Sequence, residues 1–152
     1  MPRPIIVDSM SAVMTRGLGK AYARAVLSAP RAQAAIIFLR GDLGSGKTTF
    51  VRGFLKAFGI APHGASPTFV LAKHYHLRRR RNGIKHIYHY DAYRLSSAKD
   101  LRALGFSSAA ADPSAVILIE WPEKVASRTL RSSGSVSFTY GDAPGRRLLS
   151  FS

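Results

Sequence analysis

The stretch Ala34-Ala35-Ile36-Ile37-Phe38-Leu39-Arg40-Gly41-Asp42-Leu43-Gly44-Ser45-Gly46-Lys47-Thr48-Thr49-Phe50 decides the fold. Its first six residues are a continuous apolar run, the pattern of a strand buried on both faces. Gly41 to Thr48 then satisfies Gly-x-x-x-x-Gly-Lys-Thr, the spacing of a phosphate-binding loop. From Thr48 to Phe58 the residues Phe50, Val51, Phe54, Leu55 and Phe58 form a helical stripe, and Gly59 is a natural stop. Strand, glycine-rich loop and amphipathic helix in that order are the context this loop needs.

The chemistry requires each part. Glycines let the backbone curl so that its amides point at phosphate oxygens, and the helix N-terminus adds positive potential. Lys47 is expected to reach the β- and γ-phosphates, and the Thr48 hydroxyl to ligate magnesium. The nucleotide contacts expected from the loop are Asp42, Leu43, Gly44, Ser45, Gly46, Lys47, Thr48 and Thr49; the type of Asp42 is not demanded by the pattern, and turn stabilisation accounts for it. Such a loop needs carboxylates near the metal. Asp91 and Glu120 each end an apparent strand, where side chains of an α/β sheet can face the nucleotide crevice. Glu120 follows the apolar run Ala115-Val116-Ile117-Leu118-Ile119 and is expected to hold magnesium directly or through water. Asp91 would either orient the attacking water or complete the metal shell. Trp121, the lone tryptophan, packs near the base, against a partner, or in the core. Asn82 is the single asparagine and Gln33 the single glutamine. Neither can supply an Asn-Lys-x-Asp guanine reader or a water-positioning glutamine after the loop, so ATP is the expected nucleotide. Asp142-Ala143-Pro144-Gly145 matches Asp-x-x-Gly, but its residues favour a plain turn.

Outward from this centre, Ser11 to Leu27 has apolar residues near helical spacing. Gly17 and Gly19 weaken that helix unless a small side chain is needed for close packing. Thr68 to Leu77 and Ile84 to Tyr93 are predicted strands. They are joined through Arg78-Arg79-Arg80-Arg81-Asn82-Gly83, whose Asn-Gly pair is a hairpin signal. A short helix is predicted around Ala98 to Leu104. Ser135 to Tyr140 is a predicted half-buried strand, with Arg146 to Phe151 as its partner. The sum is an α/β fold: one three-layer P-loop NTPase-like domain over residues 1–152, with a mixed, mainly parallel central sheet and a β-hairpin.

The chain carries 23 Lys and Arg against 8 Asp and Glu in 152 residues, a net charge of +15, with no cysteine. The missing cysteines exclude disulfides, thiolate metal sites and cysteine nucleophiles, and suit a reducing cytoplasm. No apolar run is long enough to cross a membrane, and the N-terminus lacks the pattern of a secretory signal. The charge fits a polyanionic partner or a solvated basic surface. Four of five histidines, His74, His76, His86 and His89, fall on the predicted hairpin, by packing or as a metal cluster. On the same hairpin, Lys73, Arg78 to Arg81 and Lys85 could grip a tRNA backbone, dock an acidic protein, or simply be solvated.

Four blocks together resemble the TsaE family, the small bacterial ATPases of tRNA threonylcarbamoyladenosine biosynthesis: Gly41 to Phe50, Ser66-Pro67-Thr68-Phe69, His89-Tyr90-Asp91-Ala92-Tyr93-Arg94-Leu95, and Ile119-Glu120-Trp121-Pro122-Glu123. The resemblance runs from about Ser11 to about Arg147. It implies that Thr48 and Glu120 serve magnesium, that Thr68 lies on a segment sensing the nucleotide state, and that Asp91 matters for hydrolysis. Thr15 is loosely similar to a threonine near the nucleotide. It further implies that the partners are TsaD and TsaB, that tRNA is engaged indirectly through them, and that ATP hydrolysis resets that complex without transferring the carbamoyl group. The Ser107-Ser108-Ala109-Ala110 segment, the Leu130-Arg131 pair and the Arg78 to Arg81 run depart from the family pattern. Two other functions fit the loop or the charge: a P-loop small-molecule kinase, and an RNA-binding module built on the arginine hairpin.

Overall fold

The computed structural model describes residues 3–61 and 70–152; the block containing Thr68 lies outside them. In chain order the elements are β1 (Ile5–Ser9), α1 (Ala12–Ser28), β2 (Ala35–Arg40), α2 (Lys47–Ala57), β3 (Ala72–Arg81), β4 (Ile84–Asp91), α3 (Ala98–Ala103), α4 (Phe106–Ala111), β5 (Ala115–Glu120), β6 (Gly134–Tyr140) and β7 (Arg147–Phe151). The strands form one sheet in the order β1-β7-β6-β2-β5-β4-β3. Its centre, β6-β2-β5-β4, is parallel, while β3, β7 and β1 pair antiparallel at the edges. Helices cover both faces, giving the expected three layers. Alternation along the central strands divides the core accordingly. Ile37, Leu39, Val116 and Leu118 pack under α1 and α2 with Phe50 and Phe54. Phe38, Ile117, Ile119 and Tyr90 pack under α3 and α4 with Leu101 and Ala109.

The layer of α1 and α2 is set by two close approaches. Side chains on Gly19 and Gly53 would collide with the carbonyl oxygens of Phe50 and Arg16 respectively, whereas Gly17 faces open space. Gly19 therefore answers to packing, and helix propensity is given up for a tight crossing. Gly53→Val should overpack this crossing and cost about 3 kcal/mol. That loss would lower the melting temperature by roughly 10 °C in a chain of this size, as calorimetry can check.

The structure departs from the predicted elements in three places. The arginine run is not in the hairpin loop: β3 continues through Arg81, and only Asn82 and Gly83 turn, with φ of +46° and +83°. Charged residues are tolerated there because β3 is an edge strand with exposed flanks. The alternation at His76 and Arg81 is broken by a register irregularity. Secondly, β1 pairs with β7 although Ile5 and Ile6 are exposed. Thirdly, α4 follows α3 after Gly105 turns the chain with φ +82°. As the sequence suggested, Asp142 to Gly145 lies in a turn, where Asp142 pairs with Arg146.

Arg146 also clamps β1 to β7. Its Nε donates to both oxygens of Asp8 at 2.9 and 3.0 Å, and Nη2 adds another bond. Hydrogen bonding to this guanidinium, with its charge, holds the Asp8 carboxyl below its ordinary value. A depressed carboxylate stabilises the fold fully above its unfolded value of about 4, and that support is lost as pH falls through the lower folded value. Asp8→Asn is expected to melt earlier than the parent at pH 7, with the gap closing below about pH 4.

Candidate functional site

The loop Gly41 to Gly46 leaves the carboxyl end of β2, between β5 on one side and β6 on the other, where open α/β sheets place their ligand crevice. Gly44 and Gly46 have φ of +73° and +107°, a conformation that disfavours side chains. The Phe50 amide donates to the Gly46 carbonyl at 2.9 Å and begins the helical ladder of α2.

Lys47 opens α2 and is nearly buried. Its Nζ donates to the carbonyls of Gly41 at 2.5 Å and Asp42 at 2.9 Å, and lies 4.4 Å from the centre of the Trp121 ring. Burial pushes its ammonium pKa down, against the opposing pull of Glu120 and Asp91. Trp121 takes this position because its backbone turns left-handed directly after Glu120, at φ +56°. A bulky residue in that region is strained and held by its surroundings. The indole also meets Tyr93 at 5.1 Å. The Ser45 hydroxyl is buried without a partner close to Gly41, outside the lining of the loop's cavity.

Asp91 and Glu120 end β4 and β5 in register with each other, so both point to the face under α2. Each is about 3% exposed. Asp91 Oδ1 accepts from the Tyr93 amide at 2.9 Å. Glu120 Oε1 lies 2.8 Å from His89 Nε2, and that histidine is 2% exposed. A carboxylate oxygen has no hydrogen to give, so Nε2 is the donor. This corrects the grouping of His89 with the other hairpin histidines. Two residues before Asp91 on the same strand face, it belongs to the loop site. The remaining three stay together, His74 2.9 Å from His86 and His76 stacked edge-on to the same ring. Desolvation, then His86 and His76, lowers the His74 pKa.

Loop and carboxylates meet in a cavity of about 230 Å3. Leu43, Gly44, Gly46, Lys47, Thr48 and Thr49 form one wall, and Asp91, Glu120, Tyr93 and Trp121 the other. Thr15 is buried beside this wall rather than in it. Its hydroxyl bonds Ser9 at 2.8 Å, and its methyl sits against Gly46. A larger hollow of about 550 Å3 lies by the amino end of β2, with Tyr22, Arg31 and Gln33 in its lining but no carboxylate. The glycine-rich loop and both carboxylates line the smaller one.

Among the described residues, no three His, Asp or Glu are grouped to hold a metal. The Thr48 hydroxyl with the Glu120 and Asp91 carboxylates is a sparse set of hard oxygens. It suits Mg2+, which completes its shell with phosphates and water.

Periodicity missed three contributors. His89 was detectable, since i and i+2 on a strand share a face. Tyr140 and Arg147 come from the far end of the chain with no local signal. The Tyr140 hydroxyl donates to the Leu43 carbonyl, and Arg147 Nη2 donates to the Gly44 carbonyl at 3.2 Å. Arg147 also lies 4.6 Å from the Tyr140 ring, and its Nε is buried without a partner.

Comparison with known proteins agrees with this geometry. The model of the family described as "Threonylcarbamoyl adenosine biosynthesis protein TsaE" matches residues 10–148. A relative in Haemophilus influenzae, named tRNA threonylcarbamoyladenosine biosynthesis protein TsaE, is 37% identical over 106 residues, 70% of this chain and 63% of its own length. A relative of the same name in Treponema pallidum is 38% identical over 95 residues, covering 62% of this chain and 65% of that protein. The matched segments thus span just under two thirds of these relatives. The crystal structure of YdiB from Bacillus subtilis shares the fold, with a TM-score of 0.68 at 24% identity over 99% of this chain and 86% of that one. With a family match covering nearly the whole chain, and the phosphate loop and both carboxylates in one cavity, this chain belongs to the TsaE family of threonylcarbamoyl adenosine biosynthesis.

Proposed function

We propose that the chain binds ATP with Mg2+ and hydrolyses it, and that this turnover resets a TsaD–TsaB complex during threonylcarbamoyladenosine modification of tRNA. The observation that carries the proposal is the convergence of Lys47 with two buried carboxylates, Asp91 and Glu120, in one glycine-lined cavity. Lys47 exchanges its bonds to the Gly41 and Asp42 carbonyls for phosphate oxygens, so the loop is already shaped around the charge it will hold. Thr48 and Glu120 would hold magnesium, which would neutralise phosphate charge. Asp91, beside Glu120, orients the attacking water or completes the metal shell. The backbone amides of Gly44 to Lys47 receive the phosphates. Trp121 caps the lysine and excludes water from it. Catalysis on this plan is positioning and charge stabilisation, with no covalent intermediate on the protein.

The lone tryptophan supplies the test. ATP with Mg2+ is expected to change Trp121 fluorescence saturably, and GTP to do so more weakly. An emission indifferent to ATP would contradict the assignment.

His89 acts through Glu120, as a positioning residue. His89→Leu would leave one carboxylate oxygen without its donor. Hydrolysis is expected to fall about 10- to 100-fold with a raised magnesium requirement, as for losses of supporting hydrogen bonds at metal sites. His89→Gln, which can still donate, should recover part of the rate. Metal-free ATP binding should hold in both, so the readout is hydrolysis against magnesium concentration.

A further inference from the structure

Charge is divided unevenly along the chain. Residues 9–90 hold fourteen Lys and Arg against a single acid, Asp42, whereas residues 91–152 hold eight against six. On α1, Arg16, Lys20 and Arg24 recur every four residues at exposed positions, one unbroken stripe. Arg52 and Lys56 repeat the spacing on the exposed side of α2. Like charges at this spacing repel within a helix. A face kept basic only for solubility would interleave acids, and none is interleaved here.

The stripes continue into the hairpin. The two helices cross where Gly53 meets the Arg16 backbone. At the far end, Arg31 Nη2 donates to the Asn82 carbonyl at 2.9 Å, and the Arg81 guanidinium lies beside Gly59, just past α2. Between them is a groove of about 420 Å3 lined by Phe58, Ile60, Arg78, Arg79 and Arg81. Arg78 to Arg81 are all exposed. They lie on an edge strand with exposed flanks, along the stretch where the register with β4 is irregular. Among the exposed large apolar residues, Val13 shares the side of α1 that carries Arg16, Lys20 and Arg24, while none falls on α2 or on the arginine run. A protein-binding face has an extended apolar centre within a polar rim; on this one the exposed apolar surface is limited and cations predominate.

We propose that the face formed by α1, α2 and the arginine end of β3 binds the sugar–phosphate backbone of RNA directly, without reading sequence. Guanidinium and ammonium groups take the phosphates, and release of condensed counterions drives the association. Relatives named for tRNA threonylcarbamoyladenosine biosynthesis point to an RNA of the right class. The arginine end is separate from the nucleotide cavity. Asn82 and Gly83 lead into the amino end of β4, while Asp91 ends that strand about 23 Å away.

The test uses the whole chain and a fluorescently labelled, unmodified tRNA transcript, followed by anisotropy between 50 and 200 mM KCl. The parent should bind with a steep salt slope. The combined variant Arg78→Ala, Arg79→Ala, Arg80→Ala, Arg81→Ala should lose three to four units of that slope. Its affinity should fall about 100-fold, the effect of roughly four lost phosphate contacts. The pair Lys20→Ala, Arg24→Ala, on a different element, should lose a smaller share. Lys47→Ala should bind tRNA as the parent does, which separates this proposal from the ATP-hydrolysis reading. Two results would overturn it: a salt slope unchanged in both surface variants, or equally tight binding of poly-glutamate, which would assign the face to an acidic protein.

Discussion

Lys47→Ala is expected to weaken ATP binding by at least 100-fold and to bring hydrolysis below detection. Of the described residues lining the cavity, Lys47 is the cation, and it faces two carboxylates, Asp91 and Glu120. Without it the wall turns net negative, and the incoming phosphates meet repulsion where they met an ammonium. A hydrogen bond to a charged group contributes about 1.5–3 kcal/mol, so losing one to two of them accounts for a 100-fold change in affinity. The rate should suffer more, because the charge that grows on the phosphates in the transition state loses its fixed counter-charge, worth about 100- to 1000-fold for one such donor. Lys47→Arg should not rescue. The ammonium is held by the Gly41 and Asp42 carbonyls under the Trp121 ring, a set of contacts made for a compact charge rather than a planar fork. Trp121 fluorescence for binding and phosphate release for turnover check both halves.

Glu120→Gln is expected to separate binding from chemistry. The amide keeps the size of the side chain, and its oxygen can still accept from His89 Nε2, so the local fold should survive. The lost negative charge removes the ligand that this account assigns to magnesium. Hydrolysis should fall about 100- to 1000-fold, as when a group stabilising transition-state charge is deleted. Metal-free ATP binding should be unchanged or tighter, because one of two carboxylates facing the phosphates is gone. Titrating ATP with and without Mg2+ against single-turnover rates reads these effects apart. Equal magnesium stimulation in parent and variant would move the metal away from Glu120.

How far the sequence foretold this arrangement depends on how local each determinant is. The phosphate loop was fully legible, since its turns demand glycine at fixed positions and its lysine follows directly. The strands β2 and β5 were legible as unbroken apolar runs, because burial on both faces leaves no room for alternation. The Asn82-Gly83 turn was legible because both residues take positive φ. Long-range effects were not. Gly19 looked like a flaw in α1 until Phe50 supplied the neighbour that forbids a side chain. The short β1 was silent because its apolar side chains are exposed, and α4, Phe106-Ser107-Ser108-Ala109-Ala110-Ala111, has no apolar stripe. The strand character of Arg78 to Arg81 was hidden by their charge, which matters little on an exposed edge. At the site, Asp91 and Glu120 were found from their places at strand ends, while His89 was lost among histidines of similar spacing. Tyr140 and Arg147 reach the loop from about 100 residues away in sequence, and only the folded sheet brings them there.

The central claim is ATP turnover at this site coupled to a partner complex. The direct measurement is phosphate release by the purified chain, alone and with its cognate TsaD and TsaB, beside Lys47→Ala and Glu120→Ala. The account predicts weak basal turnover that rises when TsaD–TsaB is added and is lost in both variants. Turnover that ignores TsaD–TsaB, or that persists in either variant, would contradict it.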